Sequence, residues 1–249
     1  RHVDPHPVLA ARRRGRDRRE VRGRELPAGG GRAPAAPQGE PDAASPGDLD
    51  LGMFSTIDVA DRFAAPENVQ QYVSHQPEER EIVPSIATDN GVFTASGPTP
   101  YFTMLSGPGR ISGTTAVSMV TVGAFTGNGG RQDTVYVGWV KDGNNYVSAW
   151  YNDAERTAGF SIRLDGRLLK TPETTPLELG KGDRLALVHR DGTVTAYAQT
   201  GGRWRRLQET TIDGVLHRPM TRSEYRYGFG LRASSGTITL TGAEGRSAP

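Results

Sequence analysis

The alternation of apolar and polar positions is clearest at residues 134–152, TVYVGWVKDGNNYVSAWYN. Two runs of β-branched and aromatic residues, 134–140 and 146–151, alternate with a period of two on either side of the turn DGNN at 142–145. This pattern is typical of a β-hairpin. We therefore predict a hairpin here and take it as the centre of an antiparallel sheet. Trp139 alternates with Val135 and Val137, and we predict that it lies in the core.

The rest of the chain continues as short apolar runs separated by Asp-Gly, Gly-Gly and Gly-Pro turns, with no long amphipathic helix. We expect an opening strand at 57–63, a strand at 101–106 that ends at Gly107-Pro108-Gly109, and a long strand at 114–125. About a dozen such strands without uniform repeats favour an all-β, two-sheet antiparallel sandwich over a propeller. Trp204, between Arg203 and Arg205, is expected to pack on a sheet with its arginines in solvent.

The first 47 residues differ from the remainder. They contain ten Arg and six Asp or Glu but no Phe, Tyr or Trp, and no apolar period is present. Such a segment buries too little surface to offset its ordering entropy, so we predict a disordered tail at 1–47 and one β-sandwich domain at 48–249. The tail carries a charge of +4, which leaves −2 on 48–249 out of the total of +2. A near-neutral domain gives no reason to expect a nucleic-acid partner.

The composition restricts the function classes further. The chain has no cysteine, so disulfides and thiolate metal sites are excluded. No apolar run approaches the roughly 18 residues that span a bilayer, and no signal peptide is visible. Because the chain begins with Arg1, we treat it as open to being a fragment, and we expect an extracellular or cell-envelope location. The oligomeric state does not follow from the sequence.

The order of elements resembles the concanavalin A-like lectin/glucanase superfamily, and within it the laminin-G-like modules of secreted bacterial proteins. The likeness covers about 54–243 and rests on DRF at 61–63, VGWVKDGNNY at 137–146, GDRLALV at 182–188, and the later DG and GFGL at 191–192 and 228–231. The resemblance implies a two-sheet jelly roll that binds ligands on its concave face or rim. A structural calcium ion occurs in this superfamily. The last strand, GTITL at 236–240, lacks the Asp that often precedes its end, so we predict no cofactor and no metal site.

Catalytic motifs are sparse. Glycosidases of this class place paired carboxylates at alternate strand positions, whereas Asp and Glu here fall almost entirely in turns. The acidic loop with Glu78, Glu79 and Glu81 is the best candidate for a hydrolase. A lyase would need groups such as Arg163, His189, Tyr146 and Tyr197 to converge, although we expect His189 to be a half-buried strand histidine. No Gly-x-Ser-x-Gly motif occurs.

Binding chemistry is better represented. Aromatic faces stack on sugar rings, and planar polar groups bind hydroxyls. We predict a ligand site that contains Tyr136, Asn144, Asn145, Tyr146, Trp150 and Arg163. The function predicted from the sequence is a non-catalytic, lectin-like module of a secreted bacterial protein, with carbohydrate or another extracellular ligand as partner. A glycoside hydrolase or polysaccharide lyase, and a structural or adhesive domain without a small ligand, are the two alternatives.

Overall fold

The computed structural model describes residues 48–64, 72–75, 85–89, 92–96, 103–111, 115–126, 133–169, 174–212, 224–232 and 237–249. They all lie in one compact unit, Ala43–Pro249. The tail at 1–47 and the acidic loop at 78–81 lie outside the described residues, so their predicted properties stay predictions. Within the described part, no helix has the length and apolarity that a membrane crossing requires.

The described residues form sixteen β-strands and one short 3₁₀ turn, Leu51–Met53. The strands are β1 (Thr56–Asp61), β2 (Val73–His75), β3 (Ser85–Asp89), β4 (Val92–Ser96), β5 (Thr103–Arg110), β6 (Thr115–Phe125), β7 (Thr134–Asp142), β8 (Asn145–Asn152), β9 (Thr157–Leu164), β10 (Arg167–Leu168), β11 (Thr175–Pro176), β12 (Arg184–Arg190), β13 (Thr193–Thr200), β14 (Arg203–Thr211), β15 (Arg226–Arg232) and β16 (Thr237–Ser247).

These strands form two sheets of eight. Sheet A has the order β14-β13-β12-β6-β16-β4-β3, with β1 also paired to β16. Sheet B has the order β10-β9-β8-β7-β15-β5-β2, with β11 also paired to β9. The pairings are antiparallel in both sheets. The prediction of an all-β, two-sheet sandwich is confirmed.

The predicted central hairpin is present as β7 and β8 in the middle of sheet B. Tyr136 lies opposite Trp150, and Val140 lies opposite Tyr146. Neighbouring β9 pairs with β8 so that Arg163 lies opposite Tyr146. The strict alternation of large side chains sets this register, because a one-residue slip would move every core residue to the outer face.

The core lies between the two sheets. Trp139 and Tyr151 are fully buried there, which confirms the prediction for Trp139 and places Tyr151 on the face opposite Tyr146 and Trp150. Sheet A contributes inward-facing residues that include Val120, Leu185 and Leu187. Burial of these apolar side chains is the main favourable term in folding.

Two hairpins of the sandwich close through Asp-Gly turns. Asp165-Gly166 joins β9 to β10 with φ of 48° and 74°, and Asp191-Gly192 joins β12 to β13 with φ of 48° and 79°. Positive φ at both central positions defines the mirror-image turn whose twist matches that of paired strands. Glycine at the second position adopts this conformation without steric cost.

The opening strand is shorter than the alternation predicts. Strand β1 ends at Asp61, and Phe63 turns into the core with φ of 54°. The Asp61 carboxylate accepts hydrogen bonds from the Phe63 backbone N–H at 2.6 Å and from the Tyr72 hydroxyl at 2.9 Å. These bonds hold the chain where it leaves the sheet, so the predicted strand is wrong at its last two residues, Arg62 and Phe63.

Strand β5 contradicts the prediction that Gly107-Pro108-Gly109 ends a strand. The strand continues to Arg110, although its register against β15 shifts between Arg226 and Gly228. Strand β2 pairs with β5 only at residues 104–106, so among the described residues no strand pairs with Pro108 on that side. A proline costs little at such an edge position, since no ladder hydrogen bond from its nitrogen is needed.

The outer face of sheet A is partly covered by residues 48–54. Leu49, Leu51 and Phe54 of this segment pack against a small apolar cluster that includes Val117 and Val188. Asp50 caps the 3₁₀ turn by accepting a hydrogen bond from the Gly52 N–H at 2.8 Å. Trp204 packs against the same cluster and is half-buried, whereas Arg203, Arg205 and Arg206 are exposed, as predicted.

Candidate functional site

The predicted aromatic site residues lie together on the outer face of sheet B. We call the cluster formed by Tyr136, Val140, Tyr146 and Trp150 the aromatic face. Cross-strand pairing arranges it in two rows, Tyr136–Trp150–Gly159 and Val140–Tyr146–Arg163. Residues directly opposite each other on neighbouring strands have Cβ atoms about 5 Å apart, so each row is a line of touching side chains.

Small residues separate the two rows. Gly138, Ser148 and Ser161 lie opposite one another on β7, β8 and β9. The Tyr146 hydroxyl interacts with the side chains of Ser161, on this line, and of Arg163, in its own row. Tyr146 is 1 % exposed although it points away from the core.

Trp150 has a fixed position on this face. Its Nε1–H donates a hydrogen bond to the Phe160 carbonyl oxygen at 2.9 Å. The indole lies directly against Gly159, where an added β-carbon would come within 2.6 Å of Cζ2. Both contacts are short-range and directional, so they hold the half-buried indole in one orientation.

The aromatic face is unequally exposed. Tyr136 is 9 % exposed and Tyr146 1 %, whereas Trp150 and Arg163 are half-buried. Burial raises the pKa of Tyr136, and the charge of Arg232 opposes this only in part. Burial likewise raises the pKa of Tyr146 against the lowering effect of Ser161 and Arg163. Both phenols are thus neutral at ordinary pH, and Trp150 is the ring best placed to meet a ligand.

Asn144 and Asn145 lie at one end of the face, in the turn between β7 and β8. The Asn145 amide donates to the Asp142 carboxylate at 3.0 Å, and its carbonyl oxygen accepts from the Asp165 N–H at 3.0 Å. Asn145 thereby ties this turn to the turn between β9 and β10. Asn144 is exposed at the tip.

A histidine and a serine lie on the same outer face of sheet B, toward its β2 edge. His75 Nε2 is 2.8 Å from Ser106 Oγ. Burial lowers the pKa of His75, the nearby carboxylate of Asp142 raises it, and the charge of Arg226 lowers it further. Ser106 is only 2 % exposed. A serine closed to solvent cannot meet a substrate carbonyl, so we interpret the pair as a packing contact.

The four residues weighed for a lyase do not converge. Tyr146 and Arg163 lie on the outer face of sheet B, whereas Tyr197 lies on the outer face of sheet A. His189 points into the core between them, with its ring 5.8 Å from that of Trp139, edge to face. At 1 % exposure it is more deeply buried than the half-buried histidine expected from the sequence. The alternation within β12 and β13 assigns faces but does not say which sheet a strand joins.

A cleft of about 490 Å³ opens on the outer face of sheet A, where no sequence motif predicts a site. We call it the sheet A cleft. It is lined by Asp48, Leu49, Asp50, Met53, Phe54, Val188, Arg190, Asp191, Thr193, Thr195, Tyr197, Arg206 and Glu209. The one sequence pattern that could have pointed to this cleft is the outward-facing series on β13, Thr193, Thr195 and Tyr197. The other wall comes from residues 48–54, which no local pattern places on this sheet.

Metal binding was expected to be absent, and the described residues offer little to test it. They contain no group of three or more histidine and carboxylate side chains arranged to hold a cation. The prediction of no metal and no cofactor therefore stays a prediction.

Comparisons with known proteins identify the fold. No protein-family model and no curated protein sequence matches the chain. A legume lectin-like domain from Entamoeba histolytica superposes with a TM-score of 0.56 at 8 % identity, covering 77 % of this chain and 97 % of that domain. A structure described under endo-acting O-glycanases of human gut microbiota has a TM-score of 0.55 at 8 % identity, covering 78 % and 100 %.

A third similar structure is a mutant of the GH43 protein BlXynB from Bacillus licheniformis. Its TM-score is 0.55 at 12 % identity, and the match covers 76 % of this chain. The chain spans only 39 % of the length of that protein. Identities this low establish the fold alone. The chain has the concanavalin A-like jelly-roll fold, as the sequence resemblance implied.

Proposed function

We propose that this chain is a non-catalytic, lectin-like module that binds carbohydrate on the aromatic face of sheet B. The observation that carries the proposal is the half-buried Trp150 indole, held against Gly159 and bonded to the Phe160 carbonyl. A tryptophan fixed in one orientation loses little entropy when a sugar ring stacks on it. Preorganisation of this kind is a general source of affinity.

Polar groups around the indole supply the remaining contacts. Arg163 is half-buried on the adjacent strand, and its Nε–H donates to the Gly166 carbonyl at 3.0 Å. That bond orients the guanidinium, whose other N–H groups match pairs of sugar oxygens. In this proposal Tyr136 and Tyr146 support the indole from below, Asn144 reaches the ligand from the turn, and Asn145 holds that turn in place.

The comparisons favour carbohydrate as the ligand class, since a legume lectin-like domain and a structure described under O-glycanases share the fold. We extend the proposal to a laminin-G-like module of a secreted bacterial protein, on the sequence motifs alone. An extracellular location agrees with the kinds of protein that share the fold.

A glycoside hydrolase is the second candidate, because the structure described under O-glycanases is covered over its full length. Hydrolysis with retention or inversion needs two carboxyl groups across the scissile bond. In the described strands of sheet B the only carboxylate is Asp142, at the end of β7. The binding module is therefore the better supported reading of this face, and the acidic loop at 78–81 stays the place to look for catalysis.

The test uses the full chain against soluble and insoluble polysaccharides, with and without calcium. Bound protein and released reducing or unsaturated ends are measured in the same samples. We expect binding without release, weakened by Trp150→Ala and kept on Trp204→Ala, which removes a half-buried tryptophan from the other sheet. Product release would identify an enzyme. Failure to bind any polysaccharide would favour the structural or adhesive alternative.

A further inference from the structure

The sheet A cleft is large enough for a ligand. At about 490 Å³ it falls within the range of small-molecule sites, whereas two other cavities among the described residues measure about 10 Å³ each. It lies on the sheet opposite the aromatic face. A ligand here would therefore be independent of one bound at Trp150.

The cleft has a built wall. Residues 48–54 are fixed by the Asp50 cap at 2.8 Å and by burial of Phe54, which is 1 % exposed. The opposite wall is the outer surface of β13 and β14. There Thr195 Oγ1 donates to Glu209 at 3.1 Å, and Arg206 pairs with the same carboxylate at 3.3 Å. Both walls are thus held by contacts within the protein.

Arg190 is the group in this cleft with unused capacity. Its Nη2–H donates to the thioether sulfur of Met53 at 3.1 Å, a weak acceptor. Among the described residues no carboxylate lies within ion-pair distance of it, in contrast to Arg206. A planar guanidinium with most of its five donors open is suited to oxygen acceptors on a ligand.

The remaining lining groups limit the ligand's chemistry. Four carboxylates, on Asp48, Asp50, Asp191 and Glu209, outnumber the two guanidiniums of Arg190 and Arg206. An excess of negative charge repels anions. Carboxylates accept hydrogen bonds, Arg190 donates them, and threonine hydroxyls do both, while half-buried Tyr197 offers an apolar ring. A ligand that has many hydroxyls and no charge satisfies all of these groups.

We propose that the sheet A cleft is a second ligand site, which takes a short neutral oligosaccharide between residues 48–54 and the β13–β14 surface. This goes beyond the function proposed for the aromatic face, because the two sites lie on opposite sheets and either one can exist alone. The ligand stacks on Tyr197 and accepts hydrogen bonds from Arg190, while the carboxylates on the rim accept bonds from its hydroxyls.

The test is a titration of the full chain with cellotriose, xylotriose, mannotriose and N,N′,N″-triacetylchitotriose. It is carried out in the Trp150→Ala background so that the aromatic face does not contribute. Fluorescence of Trp204, which packs against the same apolar cluster as Tyr197, reports binding, and calorimetry gives the affinity. We expect at least one trisaccharide to bind, with affinity reduced at least about ten-fold by Tyr197→Ala or Arg190→Leu, a typical effect of losing a central contact.

Tyr197→Phe is the matched control, because it keeps the ring and should retain most of the affinity. Three results would overturn the proposal: no trisaccharide binds at millimolar concentration, binding is unchanged by Tyr197→Ala and Arg190→Leu, or trigalacturonate binds more tightly than every neutral probe. Because the background lacks Trp150, failure here leaves the proposal for the aromatic face intact. Loss of binding at the aromatic face likewise leaves this one intact.

Discussion

The indole of Trp150 occupies the space that a side chain at position 159 would need. A β-carbon on Gly159 would lie 2.6 Å from Cζ2 and 2.9 Å from Cε2 of the indole. The two residues are direct cross-strand neighbours on β8 and β9. The position of the proposed sugar-stacking ring therefore depends on a glycine that touches no ligand itself.

Replacing this glycine tests the dependence. Gly159→Ala should push the indole off the sheet and break its bond to the Phe160 carbonyl, at a cost of about 1–3 kcal/mol in the free energy of unfolding. In the Trp150→Ala background the same change should cost less than about 1 kcal/mol, because the ring it collides with is gone. Urea unfolding of the four proteins in the cycle measures the difference. Equal costs in both backgrounds would show that the contact is not what fixes the indole.

A second glycine, Gly245, should also not tolerate a side chain, because it packs against a buried ring. A β-carbon on Gly245 would overlap the ring of Tyr227, whose hydroxyl donates to Asp58 at 2.6 Å. Gly245→Ala should therefore destabilise the fold by about 1–3 kcal/mol. Gly242→Ala on the same strand is the matched control. Its β-carbon would meet neighbours at 3.6 Å, an ordinary contact, so stability should change by no more than about 1 kcal/mol in either direction.

Alanine substitution of the two turn asparagines should lower stability by different amounts, with the larger loss at Asn145. Asn145→Ala removes a hydrogen bond to Asp142 within the turn and one from Asp165 in the neighbouring turn, and should cost about 1–2 kcal/mol. Asn144 is exposed at the tip, and Asn144→Ala should stay within about 0.5 kcal/mol of the unmodified chain. Thermal and urea unfolding compare the two variants. A larger loss from Asn144→Ala would contradict the assigned roles.

Alkaline pH should destabilise the sandwich through its buried tyrosines. Burial raises the pKa of Tyr151 from 10.0 to about 12, and the carboxylate of Asp153 contributes to the rise. Below pH 10 the phenol is protonated in both folded and unfolded states, so its contribution is fully present there. Between pH 10 and about 12 only the unfolded chain releases the proton, and stability is lost as pH rises.

Tyr151→Phe removes one of these groups, so its melting temperature should fall less steeply with pH above 10 than that of the unmodified chain. Phenolate absorbance, recorded during the same pH series, shows when tyrosines ionise. The variant should still lose some stability at high pH, because it keeps four other tyrosines whose pKa values burial also raises: Tyr72, Tyr136, Tyr225 and Tyr227. Parallel melting curves for the two proteins would contradict a raised pKa at Tyr151.

The local parts of this structure could be predicted from the sequence. Period-two alternation identified the β7–β8 hairpin, separated Trp139 and Tyr151 from the outer-face aromatics, and grouped Arg163 with those outer-face aromatics. These features depend on neighbouring residues and on turn chemistry alone. The motif resemblance then supplied the jelly-roll topology, which alternation does not determine.

Non-local features could not be predicted in this way. Alternation shows that Tyr197 and His189 face opposite directions, but only the pairing of β12 with β6 assigns them to sheet A. The place of Pro108 within β5 depends on β2 beginning at Val73, opposite Ser106. The contacts of the Tyr146 hydroxyl with Ser161 and Arg163 depend on the pairing of β8 with β9. The sheet A cleft depends on the path of residues 48–54. Each requires contacts between segments far apart in the chain.

The most direct test of glycan binding at the aromatic face uses the indole Nε1–H resonances of the chain's three tryptophans. They are recorded for the ¹⁵N-labelled full chain and assigned by Trp→Phe variants. An oligosaccharide derived from a polysaccharide that the chain binds is then added stepwise. The account predicts that the Trp150 resonance shifts with a saturable curve, while that of buried Trp139 stays in place. A Trp150 resonance that does not move when the protein is saturated with glycan would contradict it.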